Sequence, residues 1–212
     1  MAAMFPPSSF TFAKKILFMR FLYALFTCCL IGFMSCGNNT NTTPTTQNTV
    51  ITTVKPVSSK LGDNSTRLLT NMVAQYYGLK NALVASKGAR ADTAAFLLEQ
   101  AADSFQAYLL KDTSNATALK PFLDTIIGYS NAVYITADPS CERQRLPFGA
   151  ISSALFGLLK NVEIKNAGIY RDYCPMAYNE KGAYWLSEES EIKNPFFGKK
   201  MLECGEVTDS LK

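Results

Sequence analysis

The chain of 212 residues contains no histidine, a single tryptophan, and charged side chains at only 18% of its positions. Each shortage excludes something. Without histidine there is no side chain that ordinarily titrates near neutral pH as a general base, and no imidazole donor for zinc or cupric copper. No Gly-rich phosphate loop, nucleophile elbow or placeable carboxylate pair is visible, so an enzyme is not expected. Cys-x-x-Cys on a βαβ scaffold is absent too, which removes the usual thiol-oxidoreductase pattern. The formal net charge is +4, but Lys14, Lys15 and Arg20 fall in the first 35 residues, which hold no acid. Beyond them the balance drops to about +1 and no Lys/Arg block survives, so nucleic acid is not a partner.

What is present begins with an uncharged apolar run from Phe21 to Phe33, preceded by those three basic residues and closed by Phe33-Met34-Ser35-Cys36. This reads as a bacterial lipobox, with residues 1-35 a lipoprotein signal peptide and Cys36 the lipidated thiol. The run is short for a membrane span of about 20 residues, which disfavours an uncleaved anchor. Met1 and Met19 both remain open as the start. The expected location is the cell envelope, with the lipid on Cys36 holding the chain to the outer membrane. Gly37-Asn38 brings no acidic cluster after the lipidated cysteine, so the periplasm-facing side is expected. Residues 36-60 are rich in Thr, Asn and Ser and carry almost no large side chains, so they are expected to be a disordered tether.

Residues 61-212 are long enough for one domain with its own core. Four stripes step by three and four: Leu69, Met72, Tyr76, Leu79, Leu83; then Ala94, Leu98, Ala101, Phe105, Tyr108; then Leu119, Phe122, Ile126, Tyr129, Val133; then Phe148, Ile151, Leu155, Leu158, Val162. Four amphipathic helices joined by short breaks predict an all-α fold, an antiparallel four-helix up-down bundle. Lys87-Gly88 and Asp112-Thr113-Ser114-Asn115 are the expected breaks. Asp138-Pro139 reads as an N-cap followed by proline at the first helical position. Pro121 is expected near the start of the third helix. Pro147 should either kink the fourth helix or move its start to that residue.

Helical periodicity ends at Asn166-Ala167-Gly168, and residues 169-207 are expected to form an irregular cap in which Ala183-Tyr184-Trp185-Leu186 is a candidate short strand. Trp185 reads as a plug over one end of the bundle, and Glu188, Glu189 and Glu191 beside Lys193 as a solvated turn. Cys174-Pro175-Met176 and Met201-Leu202-Glu203-Cys204 each set a thiol beside a thioether. Soft donors of this kind suit Cu(I) or Ag(I), so Cys174, Met176, Met201 and Cys204 are candidate metal ligands. A Cys174-Cys204 disulfide is the alternative; it would close a loop of about 30 residues and stabilise by roughly 3–4 kcal/mol. A site that switches between the two states is a third reading, and unpaired thiols a fourth. Cys141 has no evident partner.

The strings Tyr173-Cys174-Pro175-Met176-Ala177, Ala183-Tyr184-Trp185-Leu186-Ser187, Asn194-Pro195-Phe196-Phe197-Gly198 and Met201-Leu202-x-Cys204-Gly205-Glu206-Val207 closely resemble a bacterial family, domain of unknown function 3347. Tyr76-x-x-Leu79-Lys80-x-Ala82-Leu83 resembles its first helix, and Arg145, Phe148, Ser152 and Leu155 its last, so that the resemblance covers about residues 68 to 207. Family members occur as lone envelope lipoproteins and as domains fused to adaptor subunits of copper and silver efflux pumps. The resemblance therefore implies copper/silver efflux components as partners. Relatives often carry histidine or tryptophan around the third helix, and this chain has neither there.

Overall fold

Apolar residues recurring at steps of three and four produce four long helices: α1 (Asp63–Val84), α2 (Gly88–Leu109), α3 (Thr113–Thr136) and α4 (Glu142–Asn161), each packed on the next. A computed structural model describes residues 55–211. Cys36, the signal peptide over 1-35 and most of the tether lie outside them. The tether's expected last residues are not free: Ser58 forms a bridge with Lys165, and the Lys60 amide donates to the Val162 carbonyl at 3.0 Å.

On α1 and α4 every stripe residue is buried as the spacing predicts. On α2 and α3 the seam is shifted. Ala91, Ala95, Leu98, Ala101, Ala102, Phe105 and Leu109 line α2, leaving Ala94 and Tyr108 half-buried, while Leu119, Leu123, Ile126, Ser130 and Val133 line α3. Tyr129, expected in the core, is 45% exposed. These helices carry apolar residues on two adjoining stripes, and the small alanines of α2 allow the closer one to pack.

The helix boundaries correct three expectations. α1 ends at Val84, and Gly88 opens α2 instead of closing α1; a Cβ there would press on the Asp138–Pro139 backbone, with Pro139 Cα only 2.7 Å away. Pro121 lies well inside α3, although Asp112 is the N-cap, its carboxylate accepting from the Asn115 amide at 3.4 Å. α4 starts at Glu142, five residues before Pro147, and Pro139 precedes it by three. Asp138 still serves the helix: its carboxylate accepts from the Arg143 amide at 2.9 Å and from the Ser140 amide at 3.0 Å.

After α4 the chain builds a small antiparallel sheet from β1 (Ile169–Cys174), β2 (Ala183–Ser187) and β3 (Glu206–Leu211) in the order β2-β1-β3. The cap is thus more regular than expected. β2 is the predicted strand, while β1 and β3 were not foreseen. β1 carries Arg171 and Asp172 in its middle, and β3 is mostly exposed, so neither shows an alternating apolar face. β1 and β2 are joined through a left-handed turn in which Tyr178, Asn179 and Glu180 all have positive φ, and the Tyr178 hydroxyl donates toward the Arg145 and Leu146 carbonyls of α4 at 2.8 and 3.1 Å. No helix among the described residues is long and apolar enough to cross a membrane.

Hydrogen bonds from the Arg143 amide and from the Ser140 hydroxyl and amide hold the Asp138 carboxyl down to about 2. Because this value lies below the roughly 3.9 of an unfolded aspartate, its contribution to stability is complete above pH ~4 and vanishes as pH falls toward 2. Urea titrations at pH 6 and pH 2.5 should therefore differ less for Asp138→Asn than for the parent. An unchanged difference would show that this cap does not couple to acid unfolding.

Candidate functional site

Strand register brings the two cap thiols together. β1 pairs with β3 so that Tyr173 faces Glu206, which places Cys174, the last residue of β1, across from Cys204-Gly205. The two sulfurs are 2.9 Å apart. Cys174 is completely buried and Cys204 half-buried. The hydrogen bond with Cys174, reinforced by burial, pushes the Cys204 thiol up to about 11, so Cys204 holds its proton at neutral pH.

The loop that presents Cys204 is organised by Asn194, itself fully buried. Its side-chain amide donates to the Cys204 carbonyl at 2.6 Å, its side-chain oxygen accepts from the Phe196 and Phe197 amides at 2.7 and 3.2 Å, and its own amide donates to the Leu202 carbonyl at 2.7 Å. Gly205 completes the approach. At φ +146, with Trp185 Cη2 and the Tyr173 carbonyl each 2.8 Å from where a Cβ would stand, only glycine lets the backbone pass this close to the tryptophan. Trp185 is fully buried, edge-to-face with Phe196 at 5.9 Å.

The two thioethers are placed differently. Met201 is half-buried and lines the same shallow depression as Cys204, with Leu202 and Glu203. Met176 is 45% exposed and lines a separate depression beside Arg145, Tyr178 and Phe197. Among the described residues no group of three or more His, Cys, Asp or Glu side chains is arranged to hold a metal ion. Cys141 is fully buried at the start of α4, where burial raises its thiol despite the nearby Arg145 charge. It reads as an inert core residue.

Between α1 and the sheet lies a polar cluster that sequence reasoning missed. Lys80 of α1, 1% exposed, pairs with Glu188 at 2.7 Å and reaches Ser187 at 3.4 Å. Glu188 is therefore more than part of a solvated turn; the remaining Lys193 pairs with Glu189 and Glu191 do sit at the surface. Burial opposes ionisation of Glu188, but hydrogen bonds from Lys80 and Asn81 outweigh it and keep its carboxyl below the usual range. Asp172, on the same face of β1 as Cys174, is completely buried, and neither carboxylate oxygen has a hydrogen-bond partner. Burial, only partly offset by the Lys80 charge, raises it to about 7. Its strand partner Trp185 likewise leaves its indole N–H unpaired. On the opposite face Arg171 lies over the rings of Phe156 and Tyr184, at 4.1 and 3.8 Å. The one available sequence signal was an acid and a base amid apolar strings, at Asp172 and Lys80, which local polarity alone reads as surface.

A helical domain whose soft donors sit on an appended sheet and loop is the class these observations define. A family model described as a protein of unknown function (DUF3347) matches residues 72–167, and the chain belongs to that family. The match begins within α1, runs through α4 and ends two residues before β1, short of the sulfur-bearing cap that carried much of the sequence resemblance. No curated protein and no solved structure matches the chain.

Asn194 and Gly205 hold the cap by different means, and replacing either should loosen it. Asn194→Ala leaves buried backbone groups unpaired, at a cost of about 1–3 kcal/mol, and Gly205→Ala forces the loop off Trp185 at a similar cost. Urea unfolding followed by Trp185 emission measures both; midpoints unchanged from the parent would show that neither contact holds the loop.

Proposed function

We propose that this protein captures a soft monovalent metal ion, Cu(I) or Ag(I), through Cys174 and Cys204 with Met201 as an adjoining thioether. The observation that carries the reading is the meeting of two thiols from segments 30 residues apart at an open depression that Met201 also lines. Two thiolates and a thioether match the softness of these ions and reject Mg(II) or Ca(II). Met176 is not needed in this ligand set, because it opens onto another part of the surface.

The wider setting of the proposal is an envelope lipoprotein, anchored through Cys36 to the outer membrane and facing the periplasm. There it buffers the ion or passes it to copper/silver efflux components. We read the four helices as an up-down antiparallel bundle, since connections of three, three and five residues leave consecutive helices little choice but to reverse direction. No catalytic residue is assigned; the role is binding.

A second reading is a non-catalytic scaffold whose cap is closed by a Cys174-Cys204 disulfide. The sulfur separation of 2.9 Å lies between the distances the two readings need. At a metal–sulfur distance of about 2.3 Å and a trigonal angle, two thiolates stand about 4 Å apart, so a metal requires the pair to open by about 1 Å. A covalent bridge needs about 2.05 Å, a similar movement inward.

Competition against a Cu(I) chelator decides between them. Under anaerobic conditions the parent protein should show Cys174 and Cys204 as free thiols and bind one equivalent of Cu(I). Cys174→Ser should weaken binding by about 100-fold or more, Met201→Leu by about 10-fold, and Met176→Leu hardly at all. Equal affinity of parent and Cys174→Ser for Cu(I), or a quantitative disulfide in protein prepared without copper or oxygen, would overturn the metal reading.

A further inference from the structure

We infer that Cys174 and Cys204 form a dithiol/disulfide exchange couple of fixed polarity, in which Cys204 is the sulfur that meets an external disulfide and Cys174 is the buried resolving thiol. The polarity follows from burial and support. Cys174 terminates β1 and is completely enclosed, so no external sulfur reaches it. Cys204 is half-buried, follows a turn in which its amide donates to the Met201 carbonyl at 3.3 Å, and opens onto a depression lined by Met201, Leu202 and Glu203. With the sulfurs 2.9 Å apart, the second step needs no rearrangement of the fold.

The chemistry balances with a low-molecular-weight disulfide such as oxidised glutathione as oxidant. The Cys204 thiolate attacks one glutathione sulfur, the glutathione S–S bond breaks, and one glutathione thiolate leaves and takes up the proton that Cys204 lost. The Cys174 thiolate then attacks Sγ of Cys204, the mixed S–S bond breaks, and the second glutathione leaves with the remaining proton. Two electrons pass from the two thiols to glutathione, and the Cys174-Cys204 bond forms. Reduction by a small thiol runs the same path backwards through Cys204. Oxidation removes both thiolate donors, so the couple would open and close the capture site. This consequence rests on the metal reading; the exchange polarity does not.

The full-length protein, reduced and then exposed to oxidised glutathione, tests the polarity by acid quench, iodoacetamide labelling and peptide mass spectrometry. Cys174→Ser should accumulate a glutathione adduct on Cys204, because nothing resolves it. Cys204→Ser should leave Cys174 unmodified while folded, as checked by circular dichroism. The parent should reach the internal disulfide with little adduct, and before oxidation its Cys204 should alkylate about tenfold or more faster than its Cys174. This last comparison needs no variant to fold. An adduct on Cys174 of folded Cys204→Ser, equal alkylation rates, or a lasting adduct on parental Cys204 would overturn the inference. Titration of the reduced parent with Ag(I) separates the two claims: exchange can fail while silver binds, and silver binding can fail while exchange proceeds.

Discussion

The buried guanidinium of Arg145 fixes where the cap sits. Its Nε donates to the Pro195 carbonyl at 2.9 Å, one terminal nitrogen reaches the Leu83 carbonyl and the Ser86 hydroxyl at 3.1 Å each, and the other reaches the Ser140 carbonyl at 3.4 Å. One side chain of α4 thereby ties together the end of α1, the α3–α4 connection and the loop that follows β2. A planar donor with several fixed directions is suited to this, because helix ends and turns leave carbonyls that need partners. The link continues along the chain. Pro195 neighbours Asn194, Asn194 holds the Cys204 carbonyl, and Cys204 lies against Cys174. Gly198 lets the loop approach closely, since a Cβ there would stand 2.5 Å from the Ser86 hydroxyl and 2.9 Å from the guanidinium.

Lys80 and Asp172 add a second constraint, electrostatic in kind. A lysine with 1% exposure would be costly alone, and its partner Glu188 arrives only because β2 places residue 188 over α1. The pair therefore records correct docking of the sheet as much as it stabilises the sheet. Asp172 has no such direct partner. A buried carboxyl raised to about 7 is protonated in an appreciable fraction of molecules at neutral pH, which lessens the cost of its position. Its closeness to Tyr77 is visible in the tyrosine hydroxyl, which burial first, and the charges of Glu188 and Asp172 next, raise above the usual range.

The helices were largely legible because burying one face leaves a periodic trace. α1 and α4 follow their stripes residue for residue, since each has one dominant apolar face. α2 offered two adjoining candidate faces, and whether Ala94 and Tyr108 or Ala91, Ala95 and Ala102 join Leu98, Ala101 and Phe105 in the core depends on how closely its neighbours pack, which no local pattern encodes. Tyr129 fails for the same reason. Strands β1 and β3 left no trace: the inward face of β1 carries Asp172 and Cys174, and β3 is an edge strand open to solvent. The neighbouring thiols and thioethers at 174–176 and 201–204 were readable from the sequence. That Met201 shares a depression with Cys204 while Met176 opens beside Arg145 follows from three-dimensional routing of the loops.

None of the candidate donors lies on one of the four long helices. Cys174 ends a strand, Met176 precedes a left-handed turn, and Met201 and Cys204 belong to a loop. The helical bundle thus acts as a support whose core can be repacked with little effect on the sulfurs, provided Arg145 keeps its carbonyl partners. A change at Asn194, Gly198 or Gly205 reaches the thiols directly, through one hydrogen bond or one excluded methyl group. Functional sensitivity in this chain should therefore follow the route from Arg145 to Cys204 more closely than it follows burial, because packing in the helices only sets the height of the platform on which the two sulfurs meet.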